Sequence, residues 1–225
     1  MNAQGKRSGE TAREYAYRMI REQVISLELK PGEAFNDMEF AAKIGVSRTP
    51  VREAVIQLSE ESRIIEIFPQ RGMRIAPIDV ELVEEARSLR VLLEKQIAGM
   101  CCEMATEEDI KWLQENVGLQ EFYMENSRPE MVMQLDDEMH HKLFMICHRE
   151  LTYGMCQKLA IHYDRIRSLS VNTVKDNTII EDHRKIIQFI AEHKKENAMA
   201  QMEKHLSRWQ LNEGKFRQEF QDYFK

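Results

Sequence analysis

Residues 45–54 have the sequence Gly45-Val46-Ser47-Arg48-Thr49-Pro50-Val51-Arg52-Glu53-Ala54. The glycine suits a tight turn, and the serine is a residue type that caps the N-terminus of a helix. The proline falls in the first turn of that helix, where its missing N–H costs little. Val51, Val55 and Leu58 follow at helical spacing and predict its buried face, while the two arginines point away. The stretch therefore predicts a turn and then a helix whose first turn is basic and exposed.

The flanking residues complete a small domain around this helix. Helical spacing of apolar residues predicts one helix over 12–27 and a short one over 37–43, the latter capped by Asn36. Downstream, residues 64–68 and 73–76 predict two strands joined by a tight turn. A helix-turn-helix followed by a hairpin is a winged helix.

The exposed first turn of the third helix carries side chains that suit DNA. Arginine donates two hydrogen bonds to guanine, and hydroxyls and helix N-terminal N–H groups suit phosphates. Two arginines four residues apart more often only solvate a helix face, so their spacing alone leaves DNA contact open.

Residues 10–77 as a whole resemble the DNA-binding domain of GntR-type bacterial transcription regulators. The resemblance is carried by Leu29-Lys30-Pro31-Gly32, by residues 45–54 and by Arg71-Gly72. It implies DNA contacts at Ser47, Arg48, Thr49, Arg52 and, from the wing, Arg71 and Gly72. A homodimer would then read the two half-sites of a palindromic operator in double-stranded DNA.

The charges divide the chain into two unlike parts. Residues 1–77 hold 12 Lys and Arg against 11 Asp and Glu, whereas the remainder holds 20 against 27. The overall net charge of −6 therefore averages a near-neutral part with an acidic one. With Pro77 near the break, we predict two domains, 10–77 and 78–222.

The second part has the pattern of an antiparallel helix bundle. Apolar residues recur at helical spacing between Leu82 and Met100, and further helices are expected over 129–147, 151–170, 174–193 and 196–221. The predicted fold class is mostly α, with an N-terminal winged helix-turn-helix domain and a C-terminal all-α bundle.

The sequence also indicates the compartment. No apolar run approaches the ~18 residues that a membrane span needs, and the N-terminus lacks the apolar core of a signal peptide. The four cysteines form no C-x-x-C pair. We therefore predict a cytoplasmic protein with reduced thiols and no membrane partner.

All seven histidines lie in the second part, and some have metal-ligand spacing. Asp136 and His140 are neighbours on one helix face, and His183 and His205 fall on two later helices. Three imidazoles and a carboxylate suit zinc, nickel, manganese or iron. Spacing alone leaves the choice of ligands open, because four other histidines compete: His141, His148, His162 and His193.

Residues 80–215 are similar to the FCD effector domain of the FadR branch of GntR regulators. The similarity rests on Glu-x-x-x-Leu-Arg-x-x-Leu-Glu from Glu85 to Glu94, on Asp136-x-x-x-His140, and on Glu181-Asp182-His183 with His205. It implies a divalent ion, zinc as first choice, held by Asp136, His140, His183 and His205. A small carboxylate effector would complete the coordination. Arg90 is the candidate for binding the effector carboxylate, and an ion pair with Glu94 is the alternative.

These features predict a ligand-responsive transcription regulator, by family habit a repressor, and not an enzyme. One alternative is a helical-bundle metalloenzyme, although the sequence has only one Glu-x-x-His motif of the di-iron type, at Glu138–His141. The other is a constitutive DNA binder whose C-terminal domain only dimerises, through the face between Leu82 and Met100.

Overall fold

The computed structural model describes residues 5–173, 178–208 and 213–225. The chain divides into two compact units, one comprising Met1–Val80 with Phe220–Lys225 and the other Glu81–Glu219. Among the described residues, no helix is both long enough and apolar enough to cross a membrane.

The first unit combines three helices with a three-stranded sheet. In chain order its elements are α1 (Ala12–Ile25), β1 (Ala34–Phe35), α2 (Asp37–Ile44), α3 (Arg48–Ser62), β2 (Ile65–Phe68) and β3 (Gly72–Ile75). The sheet is antiparallel with the order β1-β3-β2. The predicted helix-turn-helix and hairpin are confirmed. Strand β1 was not predicted, because two residues are too few to show an alternating pattern.

Local hydrogen bonds explain where the helices of the first unit begin and end. The Asn36 side chain accepts from the N–H groups of Met38 and Glu39 and starts α2, which ends at Gly45 with φ of 74°. The prediction that the Ser47 side chain caps α3 is wrong. The backbone of Ser47 keeps the N-cap conformation, but the hydroxyl accepts no bond from the described first turn. Because Ser47 is exposed, water can satisfy those N–H groups.

The core of the first unit lies between α1 and α3. Helix α1 packs on α3, and Ile20 and Val24 of α1 are fully buried, as are Val51 and Val55 of α3. This packing leaves the opposite face of α3, with its arginines, in solvent.

The last residues of the chain close the first unit. The N–H of Ile78 donates to the carbonyl of Tyr223 at 2.7 Å, and the N–H of Lys225 donates back to the carbonyl of Ile78 at 3.0 Å. Two backbone hydrogen bonds therefore join the C-terminus of the chain to the end of the winged helix.

Most of the described residues between Val80 and Glu219 are helical, as predicted. The helices are α4 (Val80–Met104), α5 (Glu107–Glu125), α6 (Pro129–Ile146), α7 (Glu150–Thr173), α8 (Thr178–Ala191), α9 (Lys195–Leu206) and α10 (Glu213–Glu219). The helix predicted over 174–193 includes residues 174–177, which lie outside the described residues.

The single long helix predicted over 196–221 is wrong. Helix α9 ends at Leu206, and α10 is followed by a 3-10 turn at Gln221–Tyr223. Residues 209–212 lie outside the described residues. The apolar spacing misled the prediction because it resumes beyond the break at Phe216, which is fully buried.

Helices α4, α5, α6, α8 and α9 supply the hydrophobic core of the second unit. Its largest fully buried side chains include Leu113, Met139, Phe144 and Ile186. Thr106 and Asp109 form a capping box at the start of α5. Asp109 also pairs with Lys142 of α6 at 2.7 Å, which ties the two helices together.

Candidate functional site

Four buried side chains converge in the second unit. Helix α6 contributes Asp136 and His140, one turn apart, while α8 contributes His183 and α9 contributes His205. Each offers one ligand atom, and these atoms all lie within 4.8 Å of one another. Among the described residues, this is the one such group of His, Cys, Asp or Glu side chains that could hold a metal ion.

The distances within this cluster match the spacing of ligands around a divalent ion. Nε2 of His205 lies 3.3 Å from Nε2 of both His140 and His183. Nε2 of His183 also lies 3.3 Å from Oδ1 of Asp136. Tetrahedral ligands at ~2.1 Å from zinc are separated by about 3.4 Å, so these three separations lie close to the spacing of zinc ligands.

Burial keeps the ring nitrogens in their metal-binding form. Burial lowers the pKa of His183 to about 4 and holds the pKa of His205 well below its usual value. Both rings are therefore neutral at neutral pH, the form in which imidazole binds metals. Nε2 of His183 and Nε2 of His205 face one another at 3.3 Å, and a shared cation would satisfy the lone pairs of both nitrogens.

Two charged residues of α4, Glu94 and Arg90, lie behind His140. Oε2 of Glu94 lies 2.5 Å from Nδ1 of His140, although the contact is not aligned as a straight hydrogen bond. Nε of Arg90 donates to Oε1 of the same carboxylate at 2.6 Å. Burial alone would raise the pKa of Glu94, but Arg90 and then His140 hold it well below its usual range. Glu94 is therefore an ionised carboxylate that lies between the Arg90 guanidinium and the His140 ring.

Asp136 is held from the opposite side by Arg167 of α7. The Arg167 guanidinium also donates at 2.8 Å to both Asp137 and Asp164. Burial opposes ionisation of Asp136, yet the charge of Arg167 keeps its pKa below the usual value. The carboxylate is thus ionised and available as a ligand.

His183 is backed by two buried amides of α5. Nδ1 of His183 lies 2.8 Å from Oε1 of Gln120, and Nε2 of Gln120 donates to Oδ1 of Asn116 at 2.8 Å. Asn116 donates in turn to the carbonyl of Leu135 at 3.1 Å.

Reasoning from the sequence missed Asn116 and Gln120. A signal was present, because these two amides lie four residues apart on the same helix face as Leu113 and Val117. Polar residues at buried positions of an apolar helix face need hydrogen-bond partners. Here Gln120 contacts His183 of the cluster, and Asn116 contacts Gln120.

The four competing histidines lie elsewhere. His141 stacks on Tyr153 with ring centroids 4.4 Å apart, and Nδ1 of His193 lies 2.6 Å from the carbonyl of Cys102. His162 contacts Arg165, and His148 is exposed. None of them belongs to the cluster.

The candidate DNA-binding residues form a second site, on α3 and the wing. Arg48, Thr49 and Arg52 are exposed and line a shallow depression together with Glu53 and Ile56. Ser47, Arg71 and Gly72 are exposed as well, the last two at the turn between β2 and β3. Gly72 has φ of 101°, a conformation that favours glycine.

Asp37 links the two arginines of α3 and was missed in the sequence. Asp37 is a buried residue of α2. Its Oδ1 lies 3.0 Å from Nε of Arg48, and its Oδ2 lies 3.5 Å from Nη1 of Arg52. Both guanidiniums stay more than half exposed. The contact therefore orients the arginines without burying them.

A winged helix together with an all-α unit that carries a His and Asp cluster is the arrangement of a class of DNA-binding transcription regulators. Residues 12–75 match the family "Bacterial regulatory proteins, gntR family", and residues 85–208 match the FCD domain. The chain therefore belongs to the GntR family of bacterial regulators, with the FadR-type arrangement of a helix-turn-helix domain and an FCD domain.

Known relatives agree with this membership along most of the chain. The HTH-type transcriptional repressor RspR of Escherichia coli K12 is 28% identical over 209 residues, covering 92% of this chain and 91% of RspR. The Nta operon transcriptional regulator of Aminobacter aminovorans is 26% identical over 185 residues, covering 82% of this chain and 86% of that protein.

A solved structure shares the fold. E. coli McbR/YncC matches with a TM-score of 0.75 at 18% identity, covering 93% of this chain and 99% of that chain.

Proposed function

We propose that the protein is a ligand-responsive repressor whose FCD domain holds a divalent ion and a small carboxylate metabolite. The observation that carries the proposal is the convergence of Asp136, His140, His183 and His205, with their ligand atoms within 4.8 Å of one another. A repressor role is supported by the description of the relative RspR. Zinc is the first choice of ion because three imidazoles and one carboxylate suit it.

The residues around the cluster suit an anionic effector. A bound divalent ion would supply positive charge and open coordination positions for a carboxylate. We propose that Arg90 binds the effector carboxylate as well. Its guanidinium directs two nitrogens at Glu94, and an arginine has five N–H donors, so some remain for a second acceptor.

The protein would act on DNA as a homodimer. Helix α4 leaves an apolar surface open, with Leu82, Leu89 and Leu93 half-buried and Leu92 69% exposed. A second copy of the chain would cover this surface and place two winged helices on the half-sites of a palindrome. The effector would change DNA affinity only if its own affinity differed between the DNA-bound and the DNA-free arrangement of the dimer.

Metal content tests the ion site. Purified protein is expected to bind about one Zn²⁺ per chain, measured by elemental analysis after dialysis. His183→Ala is expected to lose most of this zinc, whereas His193→Ala, outside the cluster, is expected to keep it. Equal zinc in wild type and His183→Ala would remove His183 from the site.

DNA affinity tests the reading helix. Arg48→Ala and Arg52→Ala are each expected to lose about 1–3 kcal/mol of preference for a promoter-proximal palindrome over unrelated DNA. Fluorescence anisotropy measures this, with Arg13→Ala as a control because Arg13 is exposed on α1. Wild-type preference in both α3 variants would refute the assignment of the recognition helix.

Response to ligand separates the proposal from constitutive binding. The same assay is run with Zn²⁺ alone and then with Zn²⁺ plus individual mono-, di- and tricarboxylates. Release of the palindrome by one carboxylate, with Arg90→Met less sensitive to it, is the expected result. Identical DNA affinity under all conditions would favour a C-terminal domain that only dimerises.

A further inference from the structure

The orientation of two amides in the second unit follows from one backbone carbonyl. The Asn116 side chain approaches the carbonyl of Leu135 at 3.1 Å. Because a carbonyl can only accept, the NH2 group of Asn116 lies on that side and its Oδ1 faces Gln120. Oδ1 also only accepts, so the NH2 group of Gln120 points to Asn116, at 2.8 Å.

This chain of donors determines the position of the proton on His183. With its NH2 group turned to Asn116, Gln120 presents Oε1 to Nδ1 of His183 at 2.8 Å. Oε1 only accepts, so Nδ1 must carry the hydrogen. Nε2 of His183 is then left with its lone pair directed at Asp136 and His205, each 3.3 Å away.

We propose that Gln120, anchored by Asn116, is a positioning residue that holds His183 in the tautomer and ring orientation required of a metal ligand. The proposal rests on the proposed metal site and extends it to residues that do not touch the ion. Without this hydrogen-bond acceptor, the His183 ring can turn, or its proton can move to Nε2. Either change removes the Nε2 lone pair that would bind the ion. Outer partners of metal-binding histidines commonly act in this way.

Burial strengthens the constraint. Gln120 and His183 are fully buried and Asn116 is nearly so, so water does not compete for these hydrogen bonds. A buried amide that lost its partner would pay a large desolvation penalty, which makes the alternative orientations costly.

The first test reads the tautomer directly and needs no metal. Metal-stripped protein with 15N-labelled histidine is examined by two-dimensional NMR at neutral pH. Wild type is expected to show His183 protonated on Nδ1. Gln120→Met, close to glutamine in volume, is expected to gain Nε2-protonated His183. Gln114→Met is the matched control, because Gln114 is exposed on the same helix. Wild-type His183 protonated on Nε2 would overturn the proposal, whatever the folding of the variants.

The second test measures affinity for Zn²⁺ alone, by competition with a chelating dye. Gln120→Met is expected to bind Zn²⁺ about 10–100-fold more weakly than wild type. Because a carboxyl group that keeps its proton in this buried position can donate to Oδ1 of Asn116 and still accept from Nδ1 of His183, Gln120→Glu is expected to recover most of this loss, which a purely structural role would not produce. Circular dichroism checks that each variant keeps its helical signal.

The outcomes separate the two proposals. If wild type binds no ion while His183 is protonated on Nδ1, the proposed metal site fails and the tautomer assignment stands. If wild type binds the ion and Gln120→Met changes neither tautomer nor affinity, only the role of Gln120 is overturned.

Discussion

Asp37 contacts two arginines of α3, the helix that is proposed to read DNA, through one carboxylate. Its side chain is buried, while the Arg48 and Arg52 groups that it contacts are largely exposed. Because water surrounds most of both guanidiniums and screens the charges, the contact matters more for orientation than for folding. The negative carboxylate here also reduces the positive potential of the surface that is proposed to face DNA phosphates.

We therefore expect Asp37→Asn to separate specificity from affinity. Removing the charge should raise affinity for unrelated DNA and steepen its dependence on salt, because two arginines are freed for phosphates. Preference for the palindrome should fall, because the arginines lose a fixed orientation. Anisotropy titrations at several salt concentrations measure both quantities. A variant with unchanged preference and unchanged salt dependence would show that Asp37 does not orient these arginines.

At the scale of the residue, exposure and chemistry were readable from the sequence, but partners were not. The arginines of α3 were predicted to be exposed because they lie opposite Val51 and Val55 on the helix. Their contact with Asp37 was not predicted, since it depends on how α2 packs on α3. The same holds for Gln120, whose partner His183 lies 63 residues away.

At the scale of the element, two glycines give opposite predictions for one substitution. Gly45 ends α2 with φ of 74°, whereas Gly118 lies inside α5 with open space where a Cβ would be. Gly45→Ala should destabilise the first unit by about 1–2 kcal/mol, because L residues are strained at this φ. Gly118→Ala should stabilise the second unit by up to ~1 kcal/mol, because alanine is the better helix former.

The free energy of unfolding of each unit is measured by denaturant titration, with hydrogen exchange of amides in that unit as the readout. The two variants are each other's control, since the substitution is the same. Stabilisation by Gly45→Ala would mean that the turn between α2 and α3 does not require glycine.

The start of α5 should make stability depend on pH through Asp109. Burial opposes its ionisation, but hydrogen bonds from Lys142 and Thr106 prevail and lower its pKa from 3.8 to about 2. The ionised form therefore stabilises the fold above pH 4, and this contribution disappears as the pH falls through 2. Asp109→Asn should cost ~0.5–1 kcal/mol at pH 7, since the group is partly exposed.

The measurement is urea unfolding of wild type and Asp109→Asn between pH 7 and 2.5. Glu115→Gln is the control, because Glu115 is exposed on the same helix. The difference between wild type and Asp109→Asn should shrink below pH 4. A constant difference across this range would argue against an ionised capping role.

Helix existence was largely predictable, but helix ends were not. Apolar spacing predicted the helices because the 3.6-residue period is a local property. It extended the last helix too far, from 196 to 221, because Phe216 continues the spacing beyond the end of α9 at Leu206. The strand β1 was missed because only its pairing with β3 makes it a strand.

At the scale of the whole molecule, the C-terminus is part of the DNA-binding unit. Residues Phe220–Lys225 group with Met1–Val80, and their bonds to Ile78 close the end of the wing. Lys225 also pairs with Asp79 at 2.9 Å. The winged helix therefore uses residues from both ends of the chain.

A variant that ends at Glu219 should loosen this closure. The Ile78 amide donates to Tyr223, so its hydrogen exchange should speed up at least tenfold after truncation. The Ile75 amide donates to Glu33 and serves as the internal control, because its acceptor remains. Unchanged exchange at Ile78 would show that the tail does not protect this amide in solution.

The sequence alone determined the properties that depend on neighbours along the chain. These are the winged helix followed by helices, the exposed arginines at the start of α3, and the adjacency of Asp136 and His140 one turn apart. Each follows from local geometry, because helical period and capping act within a few residues.

The tertiary structure decided which distant residues meet. It brought His183 and His205 to Asp136 and His140 and left the other four histidines elsewhere. It also placed Gln120 behind His183, Asp37 behind the arginines and the C-terminus against Ile78. Periodicity shows that a helix has a buried face but not which face it meets, and that choice arises from the packing of whole helices.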